Sequence, residues 1–145
     1  MARIETEGIV ELARELQRRG AIARPAAERM LKFAGEEVAK FTKVAAENHG
    51  LVDTGKLVQS IKPGPVQTYT DSGKVEVWPQ GSATRGKKSG RRERNATIGF
   101  VQHYGRSYGR TKRAGTGFFD EGRTNSENAV YQGMTAIWRE EEDNA

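Results

Sequence analysis

Apolar residues at Ile4, Ile9, Leu12, Ala13 and Leu16 recur at the spacing of one helix face, with charged residues between them and Gly20 after them. The pattern predicts an amphipathic helix over residues 3–19, within an N-terminal segment 1–20. Pro25 followed by Ala26-Ala27-Glu28 suits a first helical turn. From there Met30, Ala34, Val38, Phe41 and Ala45 continue as a stripe to Gly50. A second helix is therefore expected over 25–50, with Gly35 as an interruption that lets another backbone come close.

Gly50 supplies the left-handed residue that helix ends favour. A hinge turn over 51–62 follows, in which Asp53 and Thr54 are the expected side-chain caps and Gly55 the flexible point. Leu57 and Ile61, four apart, face one core, and Lys62-Pro63-Gly64-Pro65 stops further helix. Residues 66–70 and 74–78 alternate β-branched or aromatic residues around Asp71-Ser72-Gly73 and predict a hairpin, ended by Pro79. Residues 80–94 show no periodicity and read as a mobile basic loop. Asn95 to His103 reads as a third strand, completing a sheet region over 65–104. Residues 105–119 read as a Gly-rich loop ending in the apolar anchor Phe118-Phe119. The last helix is expected over 120–141, capped by Asp120 or Thr124, with Val130, Met134, Ile137 and Trp138 as its buried stripe. The acids Glu140 to Asp143 fall at its negative end, which predicts fraying or pairing with bases elsewhere.

At 145 residues the chain has the length of one domain. Apolar residues make up 35% and charged residues 30%, with a mean hydropathy of −0.76. That is lean for a self-sufficient globule and suggests long solvated loops, or surfaces that become buried only on assembly. The net charge of +5 is unevenly spread. Residues 85–113 hold ten bases (Arg85, Lys87, Lys88, Arg91, Arg92, Arg94, Arg106, Arg110, Lys112 and Arg113) against one acid, Glu93; that stretch is +9 and the remainder −4. Basic segments on an acidic body point to a polyanion or an acidic protein neighbour.

The chemistry for catalysis is sparse. There is no cysteine, and only His49 and His103 are available to a metal, so neither a disulfide nor a zinc site is expected. No apolar run approaches membrane-spanning length and no signal core follows Met1-Ala2-Arg3, which predicts a soluble chain made in the cytoplasm. No phosphate-binding glycine loop follows a strand, so no nucleotide, other cofactor or small-molecule substrate is expected. Asp53-Thr54-Gly55 after two apolar residues matches the start of a retropepsin-like aspartic protease, in which two carboxylates share a proton. Lys56 in place of a small residue, and a preceding helix in place of a strand, argue against it. Gly105-Arg106-Ser107-Tyr108-Gly109-Arg110 has the Arg/Gly/aromatic character of single-strand nucleic-acid binders, which supports an alternative as a basic nucleic-acid-binding accessory protein. His103 has no nucleophile marked beside it; with Tyr104, Phe118 and Phe119 it is read as an interface residue.

The order of these signals carries more than any one of them. Val52-Asp53-Thr54-Gly55-Lys56-Leu57 with Ser60-Ile61 follows the long helix. Val77-Trp78-Pro79-Gln80-Gly81 and Arg94-Asn95-Ala96-Thr97-Ile98-Gly99-Phe100 with His103-Tyr104-Gly105 come next, then an aromatic pair and a closing helix. Over roughly residues 28–138 the chain resembles the tail-component family of long-tailed bacteriophages named after the tenth gene product of a lambdoid phage, the neck or tail-completion proteins. It departs from that family at Trp78, where Tyr is usual, at Gly99 in place of Ala, and at His103 in place of an acid. Gly115-Thr116-Gly117-Phe118-Phe119 replaces an Ala-Arg-Pro-Phe element. The resemblance implies an α+β fold, amphipathic helices packed on a small, mostly antiparallel β-sheet with long basic loops. It implies a non-enzymatic virion protein, forming a hexameric or dodecameric ring at the head–tail connector. Its neighbours would be connector and tail proteins, with non-specific contact to DNA in the channel. The family offers no catalytic residue to carry over.

Overall fold

A computed structural model describes residues 7–51, 55–69, 73–84, 92–108 and 111–144. The fold is α+β, and a long helix, α1 (Glu7–Asn48), is its spine. The two helices expected over 3–19 and 25–50 run as one. Pro25 lies inside α1, where it removes one backbone donor and crowds the carbonyl four residues earlier. Its exposed position leaves solvent to satisfy that carbonyl.

The α1 C-terminus follows from Gly50. At φ +72° it lets the Gly50 N–H donate to Glu47 O at 2.9 Å and the Leu51 N–H to Ala46 O at 3.0 Å, closing the helix with a pair of returning hydrogen bonds. Leu51 packs on the core beyond it. Asp53 and Thr54, the expected caps, lie outside the described residues. The short helix α2 (Lys56–Ser60) is entered through Gly55 at φ +69°, with no side-chain cap. Leu57 and Ile61 are both buried, as their spacing requires.

Helix α4 (Phe118–Asp143) lies antiparallel along α1. Small residues set the approach: a Cβ on Gly122 would lie 2.6 Å from Thr42 Cα. At Gly133 a Cβ would collide with the Phe33 ring. The acids ending α4 are paired: Glu141 and Glu140 with Arg29, and Glu142 with Arg19 at 3.9 Å. Arg18 donates to the Glu142 carbonyl at 3.2 Å, satisfying a C-terminal acceptor and opposing the negative helix end.

The β structure is four two-stranded antiparallel ladders rather than one sheet. The ladder of residues 67–68 with 73–74 overlaps the predicted hairpin, whereas residues 77–79 pair with 61–63, from the expected hinge and helix stop, rather than with 66–70. Strand β1 (Ile61–Pro63) pairs with β4 (Val77–Pro79), and β2 (Gln67–Thr68) with β3 (Gly73–Lys74). Pro63 faces Val77 while Gln67 faces Lys74, so residues 64–66 oppose only 75–76 and form a bulge. The hairpin lies on α1 at Gly35, where a Cβ would sit 2.9 Å from Pro63 Cβ; the nearest atoms are the side chains of Pro63 and Val75 rather than the backbone expected there. The ends of the expected 80–94 loop pair as β5 (Ser82–Thr84) and β6 (Arg92–Arg94). The 105–119 loop is largely a hairpin, β7 (Gly105–Tyr108) with β8 (Thr111–Ala114).

Residues 95–103, expected as a strand, form the helix α3 (Asn95–Tyr104). Its buried positions are Asn95, Gly99 and His103, four apart on one helix face. A Cβ on Gly99 would lie 2.8 Å from Pro79 Cγ, and the Asn95 amide donates to Gln80 O at 2.8 Å. Packing against β4 through small and polar residues decides for helix over the apolar alternation. The core lies where α1, α2, β1, β4 and the start of α4 meet. It contains Ala39, Ala45, Ala46, Val58, Ile61 and Phe118, with Leu51, Val77 and Phe119 against it.

Candidate assembly surfaces

Phe118, the first residue of α4, is fully enclosed and anchors a run of aromatic rings. It stacks on Phe119 at 4.2 Å between centroids. Phe119 lies 6.3 Å from Phe100, and Phe100 stacks on Tyr104 at 6.2 Å. The run thus leaves the core and ends in solvent: Phe100 is 51% and Tyr104 74% exposed. A groove of about 420 Å³ opens beside it, with Val38, Val75, Trp78 and Phe119 among its lining.

His103 is the junction of this region rather than an exposed interface residue. It is buried, and its ring meets Tyr104 edge-on at 4.4 Å. The Phe119 N–H donates to His103 Nδ1 at 3.2 Å, which leaves the neutral ring's proton on Nε2. Nε2 faces Asp120 Oδ2 at 3.7 Å. The His103 carbonyl accepts from the Gly117 N–H at 3.1 Å, and the Gln102 carbonyl from the Thr116 N–H at 2.9 Å. The start of α4 therefore caps the end of α3. Of the four expected interface residues, His103 and Phe118 belong to the chain's own core, Phe119 bridges, and Tyr104 faces outward.

The basic residues divide between two hairpins. In the β7–β8 ladder Arg106 stands directly opposite Arg113, and Ser107 opposite Lys112. All four are exposed. Like charges directly opposite destabilise a hairpin. In β6, Arg92 and Arg94 share one side and are exposed, while Glu93 is half-buried. Arg85, Lys87, Lys88, Arg91 and Arg110 lie outside the described residues, as do the Tyr108 side chain and Asp53 of the protease-like triplet.

Comparison with protein families, with curated proteins and with solved structures returns no match.

Among the described residues no group of three His, Cys, Asp or Glu is placed to hold a metal ion. No helix among them is long and apolar enough to cross a membrane. The exposed Phe100 and Val101 were not legible while residues 95–103 read as a strand. Phe100 and Tyr104, four apart, share a face on a helix and on a strand alike; only a helix sets them side by side, a strand holding them about 13 Å apart.

Proposed function

We propose that this chain is a structural virion protein, a ring subunit of the head–tail connector, neck or tail-completion region of a long-tailed phage, without enzymatic activity. The observation that carries this reading is the aromatic run from buried Phe118 out to solvent at Tyr104. An isolated chain gains nothing by presenting Phe100, Val101 and Tyr104 to water together, whereas a neighbouring subunit gains an aromatic anchor of the kind interfaces favour. The rigid α1–α4 pair supplies a frame that holds this surface in place. Ring subunits use two different surfaces, one for each neighbour, and the rotation between copies closes the ring. Neighbouring copies and adjacent connector or tail proteins are the partners this reading calls for.

A second reading, a basic nucleic-acid-binding accessory protein, is favoured by Arg106 opposite Arg113 in β7–β8. A two-stranded ribbon of this charge suits a phosphate backbone. Salt titration of binding to duplex DNA separates the two. A dedicated binder keeps useful affinity at physiological salt with a steep log–log slope. The structural reading expects binding to vanish near that salt, leaving the hairpins for acidic protein surfaces or incidental contact with channel DNA.

A further inference from the structure

The groove beside Phe100 is apolar on its walls and polar at one point. Val38, Val75, Trp78, Phe100 and Phe119 line it, and walls rich in rings favour a ring as occupant. His103 and Asp120 line it as well. The His103 side chain is 7% exposed, and its Nδ1 already accepts from the Phe119 N–H. Nε2 is turned to Asp120 Oδ2 at 3.7 Å, which is longer than a hydrogen bond. A buried donor and a carboxylate acceptor therefore stand side by side in an aromatic groove without bonding each other.

A group that seats here has to accept from Nε2–H and donate to the carboxylate, because leaving a buried donor unmet is costly. A hydroxyl oxygen does both at one atom. Of the aromatic side chains only tyrosine carries one: phenylalanine has neither role, tryptophan donates only, and histidine divides the roles between two nitrogens. The chain has four tyrosines. Tyr104 is part of the groove itself, the Tyr69 hydroxyl donates to Gln67 Oε1 at 3.2 Å, and the Tyr108 side chain lies outside the described residues. Tyr131, on α4, is 74% exposed. It lies beyond Phe119 by about 18 Å along the helix at 1.5 Å per residue, too far to enter the groove of its own chain.

The spacing on α4 points to a second copy as the source of the ring. Asp120 and Tyr131 are three helical turns apart to within about 20°, so both lie on one stripe. Two copies of α4 laid antiparallel along that stripe bring each Tyr131 to the other's Asp120. The same register sets Glu127 opposite Thr124, so no like charges face each other. We infer that Tyr131 of one copy seats its ring in the Phe100–Phe119 groove of a second copy, with its hydroxyl between His103 Nε2 and Asp120, and that the contact is made twice about a two-fold axis. The inference rests on the assembly reading above and names the side chain that covers Phe100; ring closure then takes a further, different contact.

Sedimentation velocity on the full chain tests it at two exposed positions, Asp120 at 73% by side chain and Tyr131 at 74%; circular dichroism melting verifies that the variants fold. The wild type should pair as concentration rises. Tyr131→Phe removes only the hydroxyl and should weaken pairing about 100-fold, ten-fold at each of the two equivalent sites. Asp120→Ala should do the same, and Asp120→Asn, which keeps an acceptor oxygen, should retain most of the affinity. The two positions are about 16 Å apart along one helix, so their effects add if they act within a chain. Across the contact they share a hydrogen bond, and the double variant should pair no more weakly than either single one. The groove is probed separately in Tyr131→Ala: p-cresol, the tyrosine side chain alone, should shift the Trp78 indole NMR signal at about ten-fold lower concentration than toluene. Additive effects, a Tyr131→Phe chain that pairs like the wild type, or a wild type that stays single up to millimolar concentration would each overturn Tyr131 as the occupant. Equal affinities for p-cresol and toluene would overturn the hydroxyl site. All of these leave the ring reading to be decided on the particle, and a particle without the chain would remove that reading while the pairing stood.

Discussion

Phe118 and Tyr104 stand at opposite ends of one aromatic run and should respond oppositely to removal. Phe118 is fully buried, so Phe118→Ala should lower unfolding free energy by about 3–5 kcal/mol, the transfer loss plus a cavity. Tyr104 is 74% exposed, so Tyr104→Ala should change stability by less than about 0.5 kcal/mol while weakening self-association. Equal effects in urea melts would show that the run does not divide into core and surface. Gly55 is a backbone position of a different kind. At φ +69° a β-branched residue is strained, so Gly55→Val should destabilise more than Gly55→Asn. Charge gives a third residue-scale expectation. Hydrogen bonds from Arg18 and then Arg19 hold the Glu15 carboxyl down to about 2 from the usual 4.5. A folded-state value below the unfolded one means a contribution present above pH 4.5 and lost as pH falls toward 2. NMR titration should place the Glu15 midpoint near 2; a midpoint in the ordinary range would show that the Arg18–Glu15–Arg19 cluster is not formed in solution.

Elements differ in how much of them the sequence makes visible. The end of α1 was legible because Gly50 does one thing that few residues do, and the core side of the next turn because Leu57 and Ile61, four apart, are both buried, although Ile61 has already left the helix and opens β1. The pairing of 67–68 with 73–74 was legible from alternation around Asp71-Ser72-Gly73, whereas its continuation through a bulge to 61–63 with 77–79 was not. Continuity of α1 was hidden by Pro25, which reads equally well as a helix start. Its helical place implies a direct test: Pro25 is exposed, so Pro25→Ala should raise stability by about 1–3 kcal/mol. A lower melting temperature would mean that the helix breaks there. Helix α3 was hidden because its buried face is Asn95, Gly99 and His103, none of them apolar by side chain, while its apolar residues face partly outward. The β7–β8 hairpin was hidden because Arg106, Lys112 and Arg113 carry no burial pattern. Helix α4 was legible from Val130, Met134, Ile137 and Trp138, although these are half-buried and its buried positions are Phe118, Gly122 and Ser126; its start slipped by two residues because Gly117, not a polar side chain, precedes it. Its closest contact with α1 is at Gly122, which no periodicity reveals. Gly122→Leu should force the pair apart at Thr42 and cost several times what Arg29→Ala does. The exposed Arg29–Glu140/Glu141 pairs contribute only about 0.2–1 kcal/mol each.

For the whole molecule, a two-helix frame presents an aromatic face and two basic hairpins, the surfaces that the proposed assembly would cover. The ladder of β5 with β6 ends at Thr84 opposite Arg92, so residues 85–91 can be replaced by a two-residue Asn-Gly turn without breaking it. That change should leave the melting temperature nearly unaltered and impair particle assembly; loss of folding, or full infectivity, would show that the segment serves another purpose. The candidate surfaces were half legible: the basic band and Tyr104 were visible in the sequence, whereas the groove, the exposed Phe100 and the internal role of His103 depend on α3 being a helix. A cryo-EM reconstruction of an intact phage particle, with this chain placed in it, decides whether it is a ring subunit. A closed ring at the neck or tail terminus, with Phe100 and Tyr104 covered by a neighbour, is the expected result. A particle that lacks the chain, or one in which it sits as single copies with that aromatic face open to solvent, would contradict it.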